Sequence, residues 1–151
     1  MTDLLRDVID SFAADAARLS VSLHLDAPSP VATLDVDHVR IKEVLANLLS
    51  NALSHTPPGG NVRLALTNAA DSVSISVTDT GSGMTTDEVA SIFDRFYKGR
   101  ASRGAGLGLA ISRNLVRAHG GDIMASSAPG KGTTVTFTLP RYASAERMAF
   151  T

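Results

Sequence analysis

Residues 35–55, DVDHVRIKEVLANLLSNALSH, form the stretch around which the rest of the chain is organised. Taken as a helix with Asp35 or Asp37 as its N-cap, the stretch gathers its large apolar side chains on one broad face. These side chains are Ile41, Val44, Leu45, Leu48, Leu49, Ala52 and Leu53. Each large one stabilises the fold by roughly 1.5 to 3 kcal/mol when it is fully buried. We therefore predict a long amphipathic helix that forms one side of the core.

A polar stripe runs beside that apolar face. Glu43, Asn47, Asn51 and His55 recur at every fourth residue, so they follow one another along the same side of the helix. A carboxamide buried without a partner would cost about 1 to 3 kcal/mol. The stripe must therefore border water or a polar ligand, and its spacing alone does not decide between them.

Composition limits the class of protein. A chain of 151 residues with 44% hydrophobic content fits one domain, and a net charge of −1 gives no broad basic surface for nucleic acid. The absence of cysteine suits a reducing compartment. No segment has the layout of a signal peptide or the length of a membrane span. We expect a soluble, cytoplasmic chain that itself contacts neither nucleic acid nor membrane, with any anchor outside the chain.

Periodicity and turn signals predict the other elements. They are helices at Thr2–Leu19 and Gly106–His119, strands at Val21–Leu25, 62–66, 73–77, Asp122–Ser126 and Thr133–Leu139, and a short helix near Asp87–Ala90. Thr86 is the predicted N-cap of the short helix, and Gly120 with Gly121 ends the last one. Lys98–Ala105 is predicted to be an exposed, mobile loop, and the tail after Pro140 lacks a pattern.

The sequence Asp79-Thr80-Gly81-Ser82-Gly83 places one carboxylate at the end of a strand. The two glycines allow the backbone to bend sharply and to approach a ligand closely. A buried carboxylate can accept a hydrogen bond from the exocyclic amine of adenine. An ordinary glycine turn capped by Asp explains the same residues, so this motif alone leaves both interpretations open.

Three glycines, Gly104, Gly106 and Gly108, stand where a helix begins. Free N–H groups and the helix dipole favour phosphate at such a position, although glycines also precede helices for backbone reasons alone. The G-x-G-x-G spacing after a loop differs from the Rossmann fingerprint. The sequence from Gly130 to Thr133 lacks the spacing of a P-loop, and a hairpin turn explains it better.

The asparagines could supply a metal site next to such phosphates. Mg²⁺ prefers oxygen ligands and keeps several waters, so an Asn side-chain oxygen on a rigid helix can hold it while phosphates complete the octahedron. Asn47 is the first choice of ligand and Asn51 the second. His55 and either Arg100 or Arg103 could add donors to the phosphates.

The order of these motifs resembles a known family. NLLSNALSHTPPGG, DTGSGM, IFDRFYKG and GAGLGLAIS, followed by HGG, resemble the N, G1, F and G2 boxes of the sensor histidine kinase ATP-binding domain, in the GHKL superfamily. The resemblance implies an α+β fold: a two-layer α/β sandwich with a mixed, mostly antiparallel sheet of about five strands backed by three main helices. It also implies a catalytic ATP-binding domain at residues 1–140 and a tail at 141–151.

The resemblance assigns roles to particular residues. It implies Asn47 as the magnesium ligand, Asn51 on the phosphate side, Asp79 on the adenine amine, and Glu43 as a possible base. Gly81, Gly83, Met84 and Thr133 are assigned to the adenine side, and Phe93, Phe96 and Tyr97 to the F box that anchors the lid. His55, Lys98, Arg100, Arg103, Gly104, Ala105, Gly106, Leu107, Gly108 and Leu109 are assigned to the phosphate side and the lid.

Three departures from the family pattern matter. Ser54-His55 stands where the family often has Lys followed by Tyr or His, and the lid at Lys98–Ala105 is short. Neither His24, His38, His55 nor His119 has the setting of a phosphoacceptor. These departures concern a phosphate contact, closure of the lid and the origin of the acceptor histidine.

The resemblance therefore implies that the chain binds Mg-ATP and transfers its γ-phosphoryl group to a histidine elsewhere. That histidine would lie on a dimerisation or phosphotransfer domain, either in the same full-length protein or in a separate split-kinase subunit, with a response regulator downstream. Two alternatives remain. One is a serine kinase of the anti-sigma-factor type, and the other is a regulatory module that binds ATP without transferring phosphate.

Overall fold

The computed structural model describes residues 2–27, 34–94 and 108–141. In chain order its elements are α1 (Thr2–Arg18), β1 (Ser22–Asp26), α2 (His38–His55), β2 (Asn61–Asn68), β3 (Ser72–Asp79), α3 (Thr86–Ser91), α4 (Gly108–Ala118), β4 (Asp122–Ser127) and β5 (Thr133–Pro140). Most of the predicted helices and strands agree with these bounds to within two residues. The predicted loop at Lys98–Ala105 and the tail from residue 142 onward lie outside the described residues.

The five strands form one mixed sheet in the order β1-β2-β3-β5-β4. β1 pairs with β2 in parallel, and the other three pairs are antiparallel. With three main helices beside this sheet, the α+β sandwich expected from the sequence is confirmed. The register places Asp79 between Val62 on β2 and Thr133 on β5, so the end of β3 lies at the middle of the sheet.

The core lies between one face of the sheet and the helices. Alternate residues of the central strands, such as Val62, Leu64 and Phe137, are completely buried. The seven side chains of the predicted apolar face of α2 are all buried as well, which confirms that face. Their burial fixes the rotation of α2, so the polar stripe must lie at the border of the core.

Specific hydrogen bonds set both ends of α2. Asp37, the second of the two predicted candidates, is the N-cap, and its Oδ1 accepts from the N–H groups of Val39 at 3.0 Å and Arg40 at 3.2 Å. At the other end, the N–H of Thr56 donates to the carbonyl of Leu53, and the Thr56 hydroxyl donates to the carbonyl of Ala52 at 2.7 Å. The helix therefore ends at His55 with Thr56 as its C-cap, and Pro57 could not continue it.

The predicted cap of α3 is wrong by one residue. Thr85, not Thr86, is the N-cap, and its hydroxyl accepts from the N–H of Glu88 at 3.2 Å. The Glu88 carboxylate accepts in turn from the N–H of Thr85, also at 3.2 Å. Two adjacent threonines look alike as caps, but only Thr85 has a Glu three residues later, and this capping box decides between them.

His119 connects the end of α4 to the start of α2. Its Nδ1 lies 2.8 Å from the carbonyl oxygen of Leu115, and its Nε2 lies 3.1 Å from the backbone nitrogen of Asp37. A carbonyl oxygen can only accept, so Nδ1 carries the proton and Nε2 accepts from the Asp37 N–H. One neutral imidazole therefore joins two helices that are far apart in the sequence.

Replacing His119 with Ala is expected to lower the free energy of unfolding by about 1 kcal/mol, because the imidazole bonds to Asp37 and Leu115 are lost. Urea unfolding of the two proteins measures this difference. His38→Ala is the matched control, because His38 is exposed and adjoins the same cap. Equal losses of stability in the two variants would contradict the proposed contribution of His119.

Candidate functional site

The polar stripe of α2 borders two other segments of the chain. Asn47, in the middle of the helix, contacts the first turn of α4. His55, at the end of the helix, lies against the turn that follows β3, because its carbonyl oxygen is next to Gly81. Asn51 lies between them and is partly exposed. From Asn47 to His55, the stripe thus extends from the start of α4 to the turn at residues 79–83.

The side chain of Asn47 has a defined orientation. Its Nδ2 donates to the carbonyl oxygen of Gly108 at 3.2 Å and to the Ser112 hydroxyl at 3.3 Å. Both bonds use the nitrogen, so the amide oxygen Oδ1 is directed elsewhere. An oxygen held in this way on a rigid helix is the type of donor that Mg²⁺ accepts, and the residue present fits the predicted ion.

Asp79 is the last residue of the central strand β3, and it is buried, with 7% of its surface exposed. Its Oδ1 accepts from the N–H of Gly81 at 2.9 Å and from the N–H of Thr133 at 3.2 Å. Burial raises the pKa of this carboxyl above its usual value, and the two N–H groups and nearby His55 offset part of that rise. The two bonds hold the carboxylate through one oxygen and leave Oδ2 for another donor.

Close backbone packing around Asp79 requires glycine at two positions. Gly83 has φ of +72°, and a Cβ there would overlap the carbonyl oxygen of Ala128. Gly81 has an ordinary φ, but a Cβ there would overlap the carbonyl oxygen of His55. The turn can therefore lie directly against α2 and the β4–β5 hairpin only because side chains are absent.

Gly83→Ala is expected to destabilise the protein by about 2 kcal/mol more than Gly130→Ala, since the Ala128 carbonyl must also move. Gly130 is the matched control because its φ is +77° and a Cβ there meets open space. Chemical denaturation of both variants separates the cost of positive φ from the cost of the clash. Similar free energies of unfolding would show that the packing against Ala128 contributes little.

Hydrogen bonding limits which ring nitrogen of His55 is available to a ligand. Its Nδ1 lies 2.7 Å from the carbonyl oxygen of Asn51, so this nitrogen carries the proton in the neutral ring. Nε2 is then an acceptor, and it can donate to a phosphate only when the ring is protonated. The hydroxyl of Ser54 donates to the same Asn51 carbonyl at 2.8 Å.

Other predicted residues lie on either side of the turn. The N–H of Met84 donates to the hydroxyl of Ser127 at 2.8 Å, and this serine also bonds the carbonyl of Gly132 at 2.8 Å and the hydroxyl of Thr133 at 2.9 Å. Ser127 was not predicted, because an isolated serine in a strand has no distinguishing pattern. Its register partner is Thr133, and only the pairing of β4 with β5 reveals its position.

Some assigned residues have other contacts. Glu43 pairs with Arg40 at 3.5 Å on the partly exposed side of α2. Phe93 packs against the core and carries the Arg113 guanidinium over its ring at 5.8 Å. Leu109 packs against the core as well. The remaining assigned residues, Phe96, Tyr97, Lys98, Arg100, Arg103, Gly104, Ala105, Gly106 and Leu107, lie outside the described residues.

Comparison with known protein families gives a match over most of the chain. The model of the histidine kinase-, DNA gyrase B- and HSP90-like ATPases matches residues 36–143, a range that contains α2, Asp79, α4 and the whole β4–β5 hairpin. The chain belongs to this ATPase family. Within the family, the sequences and structures that resemble it include those of sensor histidine kinases.

Among curated relatives, the sensor histidine kinase WalK of Bacillus subtilis is 46% identical over 114 residues, which are 71% of this chain and 19% of WalK. The adaptive-response sensory kinase SasA of Synechococcus elongatus is 37% identical over 143 residues, which are 92% of this chain and 37% of SasA. This ATPase domain therefore spans well under half the length of the relatives that it matches.

Solved structures agree with this result. The catalytic domain of the histidine kinase ThkA superimposes with a TM-score of 0.83 at 26% identity, and the alignment covers 93% of each chain. Full-length ShkA, solved in complex with AMPPNP, gives a TM-score of 0.83 at 32% identity over 93% of this chain and 30% of ShkA. Among its described residues, this ATPase domain contains no helix long and apolar enough to cross a membrane.

Proposed function

We propose that the chain binds Mg-ATP between α2, the turn at residues 79–83 and the start of α4, and transfers the γ-phosphoryl group to a histidine. The histidine would belong to a dimerisation or phosphotransfer domain of the same full-length protein or of a separate subunit. The observation that carries this proposal is the buried Asp79 carboxylate. It is held by two backbone N–H groups through one oxygen and keeps the other for a ligand donor.

At the adenine end, Asp79 would accept a hydrogen bond from the exocyclic amine. A bond between a buried ionised acceptor and a neutral donor is stronger than a neutral pair, and it selects adenine over a base that presents an oxygen at the same place. Gly81 and Gly83 would allow the ring to approach the backbone. Met84 and Thr133 adjoin these residues through Ser127 and through the Asp79 hydrogen bond.

At the phosphate end, Asn47 would hold magnesium through Oδ1, and Asn51 would lie beside the phosphates. Protonated His55 could add a donor through Nε2. The start of α4 at Gly108 contacts Asn47, so N–H groups of a helix terminus lie next to the proposed metal ligand. Magnesium, when bound, would neutralise charge on the phosphates and on the transferred group.

The protein's contribution to transfer would be position and electrostatics. The acceptor imidazole forms the new N–P bond, the bond between phosphorus and the leaving oxygen breaks, and ADP leaves with the electron pair. Glu43 lies one turn before Asn47, and its contact with Arg40 uses Oε2, so Oε1 could take the imidazole proton. An aspartate of a response regulator would then accept the phosphoryl group. We place this activity in the cytoplasm, where ATP is available.

A labelled-phosphate assay tests the proposal. The chain is mixed with γ-labelled ATP and a separate histidine-bearing dimerisation domain, and the chain alone serves as the control. The proposal predicts label on the added domain, lost in acid and retained in alkali. Acid-stable label would indicate a serine kinase instead, and nucleotide binding without transfer to any histidine-bearing domain tested would favour a regulatory module.

A further inference from the structure

We infer that Ser112 is a positioning residue that turns the carboxamide of Asn47 so that Oδ1 faces the nucleotide. The inference rests on the proposed function, because it assumes that Asn47 is a magnesium ligand. Ser112 lies on α4, 65 residues from Asn47 in the sequence, and its side chain is completely buried. Neither the periodicity of α4 nor the glycines before it indicate a role for this serine.

The hydrogen-bond partners of the Asn47 carboxamide determine its orientation. Asn oxygen and nitrogen atoms look alike in shape, so their placement must follow from hydrogen bonding. The atom of Asn47 that lies 3.2 Å from the Gly108 carbonyl oxygen faces a group that can only accept. That atom must therefore be Nδ2. The reverse orientation would place two oxygens against each other.

The Ser112 hydroxyl has a single proton, and its hydrogen-bond partners show where that proton is donated. Its oxygen lies 2.8 Å from the same Gly108 carbonyl, four residues earlier on the helix, and it donates its one proton there. Toward Asn47, at 3.3 Å, the hydroxyl can then act only as an acceptor. Only the nitrogen of the Asn47 carboxamide can therefore bond Ser112, and this holds independently of the bond to Gly108. Two acceptors at one position hold Nδ2 in place, and the rotation of the amide follows.

The consequence concerns Oδ1. With Nδ2 held by Gly108 and Ser112, Oδ1 lies beside Gly108 at the start of α4, and within residues 2–27, 34–94 and 108–141 no hydrogen bond uses it. A metal ligand whose rotation is already set binds with a smaller loss of conformational freedom. Residues that orient a ligand in this way are typically worth about 10- to 100-fold in metal affinity.

Ser112→Ala tests the inference through binding rather than activity. Affinity for a fluorescent ATP analogue is measured by titration, first with EDTA and then at increasing Mg²⁺ concentration. We expect the Mg²⁺ concentration needed for half-maximal enhancement to rise about tenfold, with affinity in EDTA unchanged because Ser112 acts only through the metal ligand. Asn114→Ala, an exposed substitution on the same helix, should leave both values unchanged.

A double substitution tests whether Ser112 influences Mg²⁺ binding through Asn47. In Asn47→Ala, adding Ser112→Ala should cause no further change in Mg²⁺ dependence, because the amide that Ser112 orients is gone. Ser112→Cys keeps a similar side-chain volume with a poor hydrogen-bond acceptor, and it should behave like Ser112→Ala even if the alanine variant folds poorly.

Three results would overturn the inference. If Ser112→Ala lowers affinity equally with and without Mg²⁺, Ser112 has a packing role only. If both Ser112 variants keep the original Mg²⁺ dependence while Asn47→Ala loses it, the positioning role fails but the proposed function stands. If Asn47→Ala also keeps it, the assignment of Asn47 as the magnesium ligand fails, and the inference about Ser112 fails with it.

Discussion

Asp79→Asn is expected to lower affinity for ATP by about 100-fold or more while the protein stays folded. Asn is the same size as Asp, and its oxygen can take over the two bonds from Gly81 and Thr133 that hold the side chain. Its NH₂ group then lies where the second carboxylate oxygen was. Two donors, the Asn amide and the adenine amine, would face each other, so the substitution replaces attraction by repulsion.

The same substitution should not weaken the ligand-free fold at neutral pH. Burial raises the pKa of Asp79, so the ionised carboxylate is less favourable in the folded chain than in the unfolded one. This group's contribution to stability is full below the unfolded pKa and is lost as pH rises through the raised folded pKa. Asp79→Asn should therefore gain stability relative to the unsubstituted protein at neutral pH, and the gain should shrink at acidic pH.

Calorimetric titration with ATP, together with thermal unfolding at neutral and acidic pH, measures both effects. Asp71→Asn removes an exposed carboxylate at the β2–β3 turn and serves as the control. Unchanged affinity for ATP in Asp79→Asn would show that Asp79 does not accept a hydrogen bond from adenine. Loss of folding in this variant would instead show that the ionised carboxylate stabilises the chain.

Asn47→Ala is expected to remove most of the Mg²⁺-dependent part of nucleotide affinity, an effect on the order of 100-fold. Alanine has no oxygen ligand, and the lost bonds to Gly108 and Ser112 should cost about 1 kcal/mol in stability. The effect on magnesium should thus exceed the effect on folding.

Asn51→Ala distinguishes the two asparagines of the stripe. If Asn51 contacts phosphate rather than metal, its removal should lower affinity by a similar factor with Mg²⁺ and with EDTA, whereas Asn47→Ala should lower it mainly with Mg²⁺. The comparison uses the same fluorescent titration for both variants. The reverse pattern would make Asn51, the second choice from the sequence, the metal ligand.

Local pattern was enough to predict the elements that surround this site. The seven residues of the predicted apolar face of α2 lie at helical spacing and are all buried, and Pro57 lies just beyond the end of the helix. The alternation of Val62, Leu64 and Leu66 with polar residues predicted β2, because successive side chains of a strand point to opposite faces of the sheet. The position of Asp79 at a strand end followed from its place between alternating apolar residues and two glycines.

Contacts between distant segments could not be predicted in this way. The bond between Ser112 and Asn47 spans 65 residues, and the bond between His119 and Asp37 spans 82. Such pairs depend on how helices and strands are arranged in three dimensions, which no local pattern contains. The proton position on His55 was also unpredictable, because it depends on which ring nitrogen faces the Asn51 carbonyl.

An amide-resolved NMR titration of the ¹⁵N-labelled chain with Mg-ATP shows directly whether α2, the turn at residues 79–83 and β5 bind one nucleotide. We expect saturable shifts that converge on Asn47 and Asn51 of α2, Gly81 and Gly83 of the turn, and Thr133 of β5, and we expect Asp79→Asn to abolish them. Shifts confined to other surfaces, or none at nucleotide concentrations that saturate a sensor kinase domain, would contradict it.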